Sequence, residues 1–255
     1  MILVINHVML REEFGEERAT LRVIQCNLHR GRAATAVLCR HLDMMQNTIA
    51  LIQELWTINS NVSGFGSLSG SAFFFSTQDR PRAAIYVPRH ISAYLLPEES
   101  SRDSVVIRIQ CFLAKKKTTM TLASVYLPIE EMAPTATLTT LVNASKVNKW
   151  LLIVSCDSNA YSVTWGCDKG NFKGKILLES ITSNDLEIID EGCEPTFVNA
   201  RCQTIIDLNL ALANVSQKIS NWCVCQEASM SDHRWITFDA LEKEGPGSKA
   251  AEASK

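Results

Sequence analysis

Five short polar patches in this 255-residue chain carry residue types suited to phosphoester chemistry: Asn27, Gln53-Glu54, Asp157-Ser158-Asn159, Asp207 and Ser231-Asp232-His233. Each stands at or near the end of a stretch that reads as a strand. Carboxylates and carboxamides are oxygen donors of the kind a hard divalent cation prefers. Mg²⁺ is usually held by one or two carboxylates, with water and a phosphate completing its shell. A histidine near the end of the domain, with a carboxylate on the preceding strand, can form an oriented, charged imidazole.

Each patch also has a plainer reading. Asp157 and Asn159, two apart after an apolar strand, could orient a water and a phosphate, or could close the strand as an Asx turn. Glu54 ends the run Ile49-Ala50-Leu51-Ile52-Gln53 and is either a metal ligand or the point where a strand reaches water. In 205–210, alternation puts Ile206, Leu208 and Leu210 on one face and Asp207 on the other. A buried carboxylate there needs a partner, which His233 can supply; at a solvated edge it needs none. His7, His29, His41 and His90 take a structural reading. The chain has no Gly-x-Ser-x-Gly elbow and no Gly-x-x-x-x-Gly-Lys loop, so serine-nucleophile and P-loop chemistry are not indicated.

The elements that must position these residues alternate. Strands are expected at 21–26, 49–53, 151–155, 196–198, 204–211, 219–226 and 234–238. The segments 72–75, 83–87, 104–110 and 118–126 read as a run of antiparallel strands. Ala34, Val37, Leu38, Leu42 and Met45 fall at helical spacing and predict a helix over 33–45. Further helices are expected at 137–146 and near 174–182. The segment 151–155 is apolar throughout, hence buried on both faces. Many strands and few helices imply an α/β architecture of two packed sheets with helices outside.

One domain is expected over 21–241, preceded by a leader at 1–20 that is mobile or weakly helical. Residues 242–255, rich in Gly, Ser, Ala and Lys, read as a linker or disordered tail. No apolar run approaches 18 residues, so no membrane helix is expected. Hydrophobic residues make up 46% and charged residues 20%, a globular balance. The net charge of −2 argues against tight non-specific binding to nucleic acid. Local basic groups remain at Arg30 and Arg32, Arg80 and Arg82, Lys115-Lys116-Lys117, and Lys169, Lys173 and Lys175. The nine scattered cysteines point to a reduced intracellular protein, and none is spaced for zinc.

In order along the chain, Asn27, Gln53-Glu54, Tyr126-Leu127-Pro128, Asp157-Ser158-Asn159, Asp207 and Ser231-Asp232-His233 resemble the endonuclease/exonuclease/phosphatase superfamily, over about 220 residues. Cys156-Asp157-Ser158-Asn159-Ala160, Trp165-Gly166, Pro195-Thr196-Phe197 and Ser231-Asp232-His233-Arg234 are similar to the endonuclease domain of arthropod non-LTR (LINE-type) retrotransposons. The resemblance implies a DNase I-like four-layer α/β sandwich, with two mixed or antiparallel sheets between helices. It implies a Mg²⁺-dependent enzyme, with Mn²⁺ a possible substitute, that nicks double-stranded DNA in the nucleus. The 3′-hydroxyl so exposed would prime reverse transcription by a reverse transcriptase domain downstream in the intact polyprotein.

The same resemblance assigns roles. Glu54 ligates the metal, with Asn27 beside it and Asp232 near. Asp157 positions or deprotonates the attacking water, Asn159 and Tyr126 hold the phosphate, and His233, oriented by Asp207, stabilises the pentacovalent charge. Arg30, Arg82, Trp165 and Lys173 are the expected DNA contacts. Departures are present: Cys156 stands where the family often has Gly, and Leu55-Trp56 where related elements often have Pro-Tyr. Tyr126-Leu127-Pro128-Ile129-Glu130 lacks the Asn usual in repair enzymes. The alternatives are an abasic-site repair endonuclease or phosphatase of the same superfamily, or an inactive nucleic-acid-binding relic.

Overall fold

The computed structural model describes residues 2–4, 21–45, 47–68, 71–113 and 116–240. The first half of the chain runs β1 (Ile2–Val4), β2 (Leu21–Asn27), α1 (Arg32–Met44), β3 (Thr48–Gln53), β4 (Thr57–Ile58), β5 (Asn61–Val62), β6 (Ala72–Ser76), β7 (Ala83–Val87), β8 (Ala93–Leu95), β9 (Ser104–Leu113) and β10 (Lys116–Tyr126). Next come α2 (Ala136–Asn148), β11 (Leu151–Asp157), α3 (Phe172–Ser183), β12 (Leu186–Ile188), β13 (Phe197–Val198) and β14 (Gln203–Thr204). The last elements are β15 (Asp207–Leu212), α4 (Ala213–Ser216), β16 (Ile219–Val224) and β17 (Ile236–Ala240).

Two mixed sheets form. One has the order β1-β6-β7-β3-β2-β17-β16 and the other β12-β15-β11-β10-β9-β8. Each holds one parallel pair, β2 with β3 and β10 with β11. Parallel neighbours need a crossover, and α1 and α2 supply it, one on each outer face. Between the sheets lies an apolar layer that includes Val23, Leu51, Ile107, Leu122, Ile153 and Phe238. Outside the first sheet, Leu38 and Leu42 of α1 pack on Ile24 and Ile52. Outside the second, Leu141 of α2 and Leu177 of α3 pack on Val154 and Leu210. The order helix, sheet, sheet, helix is the four-layer architecture expected.

Differences from the sequence reading are local or concern pairing. The run of antiparallel strands is divided: β6 and β7 pair in the first sheet, while β8, β9 and β10 pair in the second. Alternation marks a strand but does not name its neighbour. The strand expected over 204–211 breaks at Ile205–Ile206 into β14 and β15. There the Thr196 hydroxyl accepts the backbone N–H groups of Ile206 and Asp207, and Ser158 donates N–H and O–H to the Ile206 carbonyl. Ile2–Val4, expected within a leader, pairs antiparallel with β6. The rest of the expected leader and the tail at 242–255 lie outside the described residues.

Candidate active site

The topology gathers the polar patches on one rim. Parallel pairing brings the C-terminal ends of β2 and β3 side by side, with Asn27 opposite Gln53. The same holds for β10 and β11, where Tyr126 is opposite Asp157. β15 runs antiparallel to β11, so its first residue, Asp207, meets Asp157, the last of β11. His233 arrives from the loop before β17, bridged to Phe197 and packed edge-on against its ring at 4.9 Å.

Within this rim, His233 Nδ1 lies 2.8 Å from Asp207 Oδ2, both buried. Ligand atoms of Asp157, Asp207 and His233 all lie within 4.8 Å of one another. The Asp157 carboxylate accepts from Asn27 Nδ2 at 2.7 Å and from the Asn159 backbone N–H at 3.3 Å. Burial first, then Asp207 and Glu54, push the Asp157 carboxyl up to about 7 against the pull of His233 and Asn27. Burial alone would lower His233. The neighbouring Asp207, Asp157 and Glu54 carboxylates outweigh it and raise the imidazole to about 9. Asp207 Oδ1 is buried without a partner. Crowded, uncompensated carboxylate oxygens are the environment a hard divalent cation neutralises, so the donor set fits Mg²⁺ or Mn²⁺.

Glu54 follows β3 in a left-handed conformation (φ 48°), as does Asn159 after β11 (φ 46°). Non-glycine residues adopt this region at a cost, and such strain clusters at functional sites. Tyr126, almost fully buried, is held up at about 12 by burial and by the negative Glu54 and Asp157, against Arg82 and Arg30. The Asn159 amide donates to Leu127 O at 3.2 Å.

Several expected contacts are corrected. Asn27, expected beside the metal, donates its amide nitrogen to Asp157 at 2.7 Å and accepts the His29 backbone N–H on Oδ1 at 2.7 Å, and so positions Asp157 from the side. Asp232 stands 3.7 Å from His29 Nδ1, a partner that the structural reading of His29 had missed. Of the expected DNA contacts, Arg30 is exposed but pairs with Glu54 at 2.8 Å. Arg82 is locked by Asp103 at 2.5 Å and its guanidinium lies 4.5 Å over the Tyr126 ring, so it braces the site. Lys173 is buried, and its ammonium donates to the carbonyls of Leu127 and Pro128. Trp165 is 5% exposed and packs in the outer core instead of standing where a duplex could meet it.

A buried polar layer beneath the rim was also missed. Gln53 donates to Ser124 Oγ at 2.9 Å, and Asn209 donates to Gln25 Oε1 at 2.8 Å and Ser155 Oγ at 2.6 Å. The Trp222 indole donates to Asn209 Oδ1 at 2.9 Å. The signal was available: polar residues interrupting strands that are otherwise apolar on both faces.

Comparison with known proteins agrees with this geometry. Residues 120–237 match the family described as Endonuclease-reverse transcriptase. The two mixed sheets flanked by helices match the DNase I-like fold of endonuclease/exonuclease/phosphatase proteins. In particular, the chain is similar to the endonuclease domain of TRAS1, a telomere-specific non-LTR retrotransposon, at 26% identity and a TM-score of 0.74, covering 88% of this chain and 99% of that one. Two further structures share the fold. The Xenopus laevis APE2 catalytic domain is 15% identical, with a TM-score of 0.64, over 88% of this chain and 94% of that one. The AP endonuclease LMAP from Leishmania major is 12% identical, with a TM-score of 0.65, over 94% and 93%. Comparison with curated protein sequences finds no match.

Proposed function

We propose that this chain is a Mg²⁺-dependent endonuclease that nicks double-stranded DNA and leaves a 3′-hydroxyl to prime reverse transcription of a non-LTR retrotransposon of the arthropod type. The observation that carries it is the meeting of Asp157, Asp207 and His233 at one sandwich rim, with Glu54 close enough to perturb both Asp157 and His233. Similarity to the TRAS1 endonuclease domain supports DNA as the substrate and a reverse transcriptase as the companion domain. A protein that nicks chromosomal DNA works in the nucleus.

Glu54, with Asp232 near it, would hold the cation, which would supply charge neutralisation at the phosphate. Asp157, held by Asn27 and poised near neutrality, takes the proton from the attacking water. His233 is protonated at neutral pH, with Nδ1 committed to Asp207. Its Nε2–H donates to a non-bridging phosphate oxygen as negative charge builds there, while the bond from phosphorus to the 3′-oxygen breaks and that oxygen takes a proton from solvent to become the 3′-hydroxyl. Asn159 and Tyr126 line the same rim and hold the phosphate. Arg82 and Lys173 act one step back, fixing the Tyr126 ring and the Leu127–Pro128 carbonyls.

Supercoiled plasmid incubated with Mg²⁺ tests this reading. Open-circular product that chelator suppresses is expected. Full activity in EDTA would overturn the metal mechanism, and no nicking with Mg²⁺ or Mn²⁺ would overturn the activity. An abasic duplex cut far faster than intact DNA would shift the reading to repair.

A further inference from the structure

β16 is the edge strand of the first sheet, and Cys223 within it is exposed. Trp222 and Val224 face the layer between the sheets. Alternation therefore turns Cys223 and Cys225 to the opposite face, where Cys225 packs against the cluster that holds Trp235. Antiparallel pairing sets Cys223 opposite Thr237 of β17, and the Cys225 N–H continues the ladder to Trp235 O at 2.7 Å. Both thiols then meet one hydroxyl. Thr237 Oγ1 lies 3.2 Å from Cys223 Sγ and 3.7 Å from Cys225 Sγ. No residue assigned to phosphodiester hydrolysis takes part.

Donor type and donor count define what this pair can take. Among the described residues, the one group of three or more ligand side chains close enough to share an ion is Asp157, Asp207 and His233. No third carboxylate, imidazole or thiol therefore completes a set with the two sulfurs. Tetrahedral zinc needs four ligands, and Mg²⁺ or Ca²⁺ needs oxygens. A disulfide is poorly placed, because residues two apart on a strand are separated by about 6.6 Å, near the upper limit that a disulfide spans. Burial first, then Cys223 and Glu227, raise the Cys225 thiol against the Thr237 hydrogen bond, so that thiol stays protonated while no ion is bound. The Arg22 guanidinium on the same face is held up by Asp239, at 3.0 Å, and further by Cys223 and Cys225. A positive group thus stands beside both sulfurs.

We propose that Cys223 and Cys225 bind one soft monovalent cation of the Cu(I) class between their sulfurs, at the edge of the first sheet. Thiolates are the ligands such an ion prefers, whereas the carboxylates of the rim suit hard divalent ions. Binding releases both thiol protons to solvent and leaves the oxidation state of the metal unchanged. The resulting bis-thiolate carries one net negative charge, which Arg22 offsets. The Thr237 hydroxyl is left to donate to a sulfur and fix its direction, as an outer support of the ligand pair. This inference does not depend on the nicking activity.

Anaerobic titration of the reduced full chain with Cu(I) held by a chromophoric chelator tests it. Withdrawal of one equivalent from the chelator is expected. Cys223→Ser and Cys225→Ser should each weaken Cu(I) by more than about 100-fold, beyond the range for losing an outer support alone. Thr237→Val removes only such a support and should weaken it by about 10-fold. Cys193→Ser and Cys202→Ser, at the other exposed cysteines, should leave it unchanged. Melting temperatures check that each variant is folded. Cys223 is exposed, so Cys223→Ser decides the matter if Cys225→Ser does not fold. The proposal is overturned if no copper leaves the chelator, or if Cys223→Ser binds as the unaltered chain does. Loss of binding in Cys193→Ser or Cys202→Ser would place the ion elsewhere and end it as well. Displacement of Cu(I) by equimolar Zn²⁺ would contradict a two-sulfur site and also overturn it.

Discussion

A buried imidazole 2.8 Å from a buried carboxylate has one ring nitrogen committed and the other free, which is what a donor to developing phosphate charge requires. His233→Ala and Asp157→Ala are therefore each expected to lower the nicking rate by at least about 100-fold, with the loss in turnover rather than in DNA affinity. Circular dichroism should show both variants folded, and a folded His233→Ala enzyme cutting near the wild-type rate would remove the residue from the mechanism. Asp207→Asn should depress turnover strongly while moving the melting temperature by only a few degrees. An amide neither stabilises the imidazolium nor holds its tautomer. The reverse pattern, a large stability loss with intact turnover, would make Asp207 a structural residue.

Helix α3 begins where its chemistry demands it. Asn171 caps it, accepting from Gly174 N–H at 2.7 Å, and Lys173 in the first turn reaches across to the Leu127 and Pro128 carbonyls. Leu127 O also receives the Asn159 amide, so the helix start, the loop after β10 and the turn after β11 are tied at one atom. Gly174 allows this closeness, since a Cβ there would come within 1.9 Å of Tyr161 O. Gly174→Ala should therefore cost about 1–3 kcal/mol, read as a fall in melting temperature. Lys173→Met should also lower the melting temperature, yet leave the slope of DNA affinity against salt unchanged, because its charge is spent on carbonyls. A slope reduced by about one would return Lys173 to the phosphate backbone.

Across the whole molecule, the two sheets are stapled at the rim. Arg82, just before β7 in the first sheet, grips Asp103, just before β9 in the second, and covers the Tyr126 ring. Its carbonyl accepts the Glu54 N–H at 2.8 Å, so one residue links the candidate metal ligand to the phosphate side. The buried ionisable groups set a pH dependence for the metal-free protein. Asp157 and Asp190 are raised to about 7 and about 8 and His233 to about 9, so the folded state holds more protons than the unfolded state. Stability should therefore fall as pH rises from about 4 through about 9, and Mg²⁺ should restore more of it at high pH than at low. Thermal melts at pH 6 and 8.5, with and without Mg²⁺, check both. Stability that rises over this interval without metal would contradict the burial of these charges.

The sequence by itself marked most of the longer elements and the residue types at their ends. The apolar run 151–155 marked the buried centre of β11, helical spacing marked α1, and the order of Glu54, Asp157, Asp207 and His233 was legible, because burial period and residue type are local properties. Only the tertiary structure decided partners. Nothing within 72–126 says that β7 and β9 belong to different sheets, since alternation is the same in either. Nothing near Lys173 or Arg82 says that their charges are consumed by the Leu127 and Pro128 carbonyls or by Asp103, since those contacts span 45, 46 and 21 residues. The break at Ile205–Ile206 depends on a hydroxyl ten residues upstream. Each is settled by long-range packing, in which the free energy of a side chain depends on what the folded chain brings beside it.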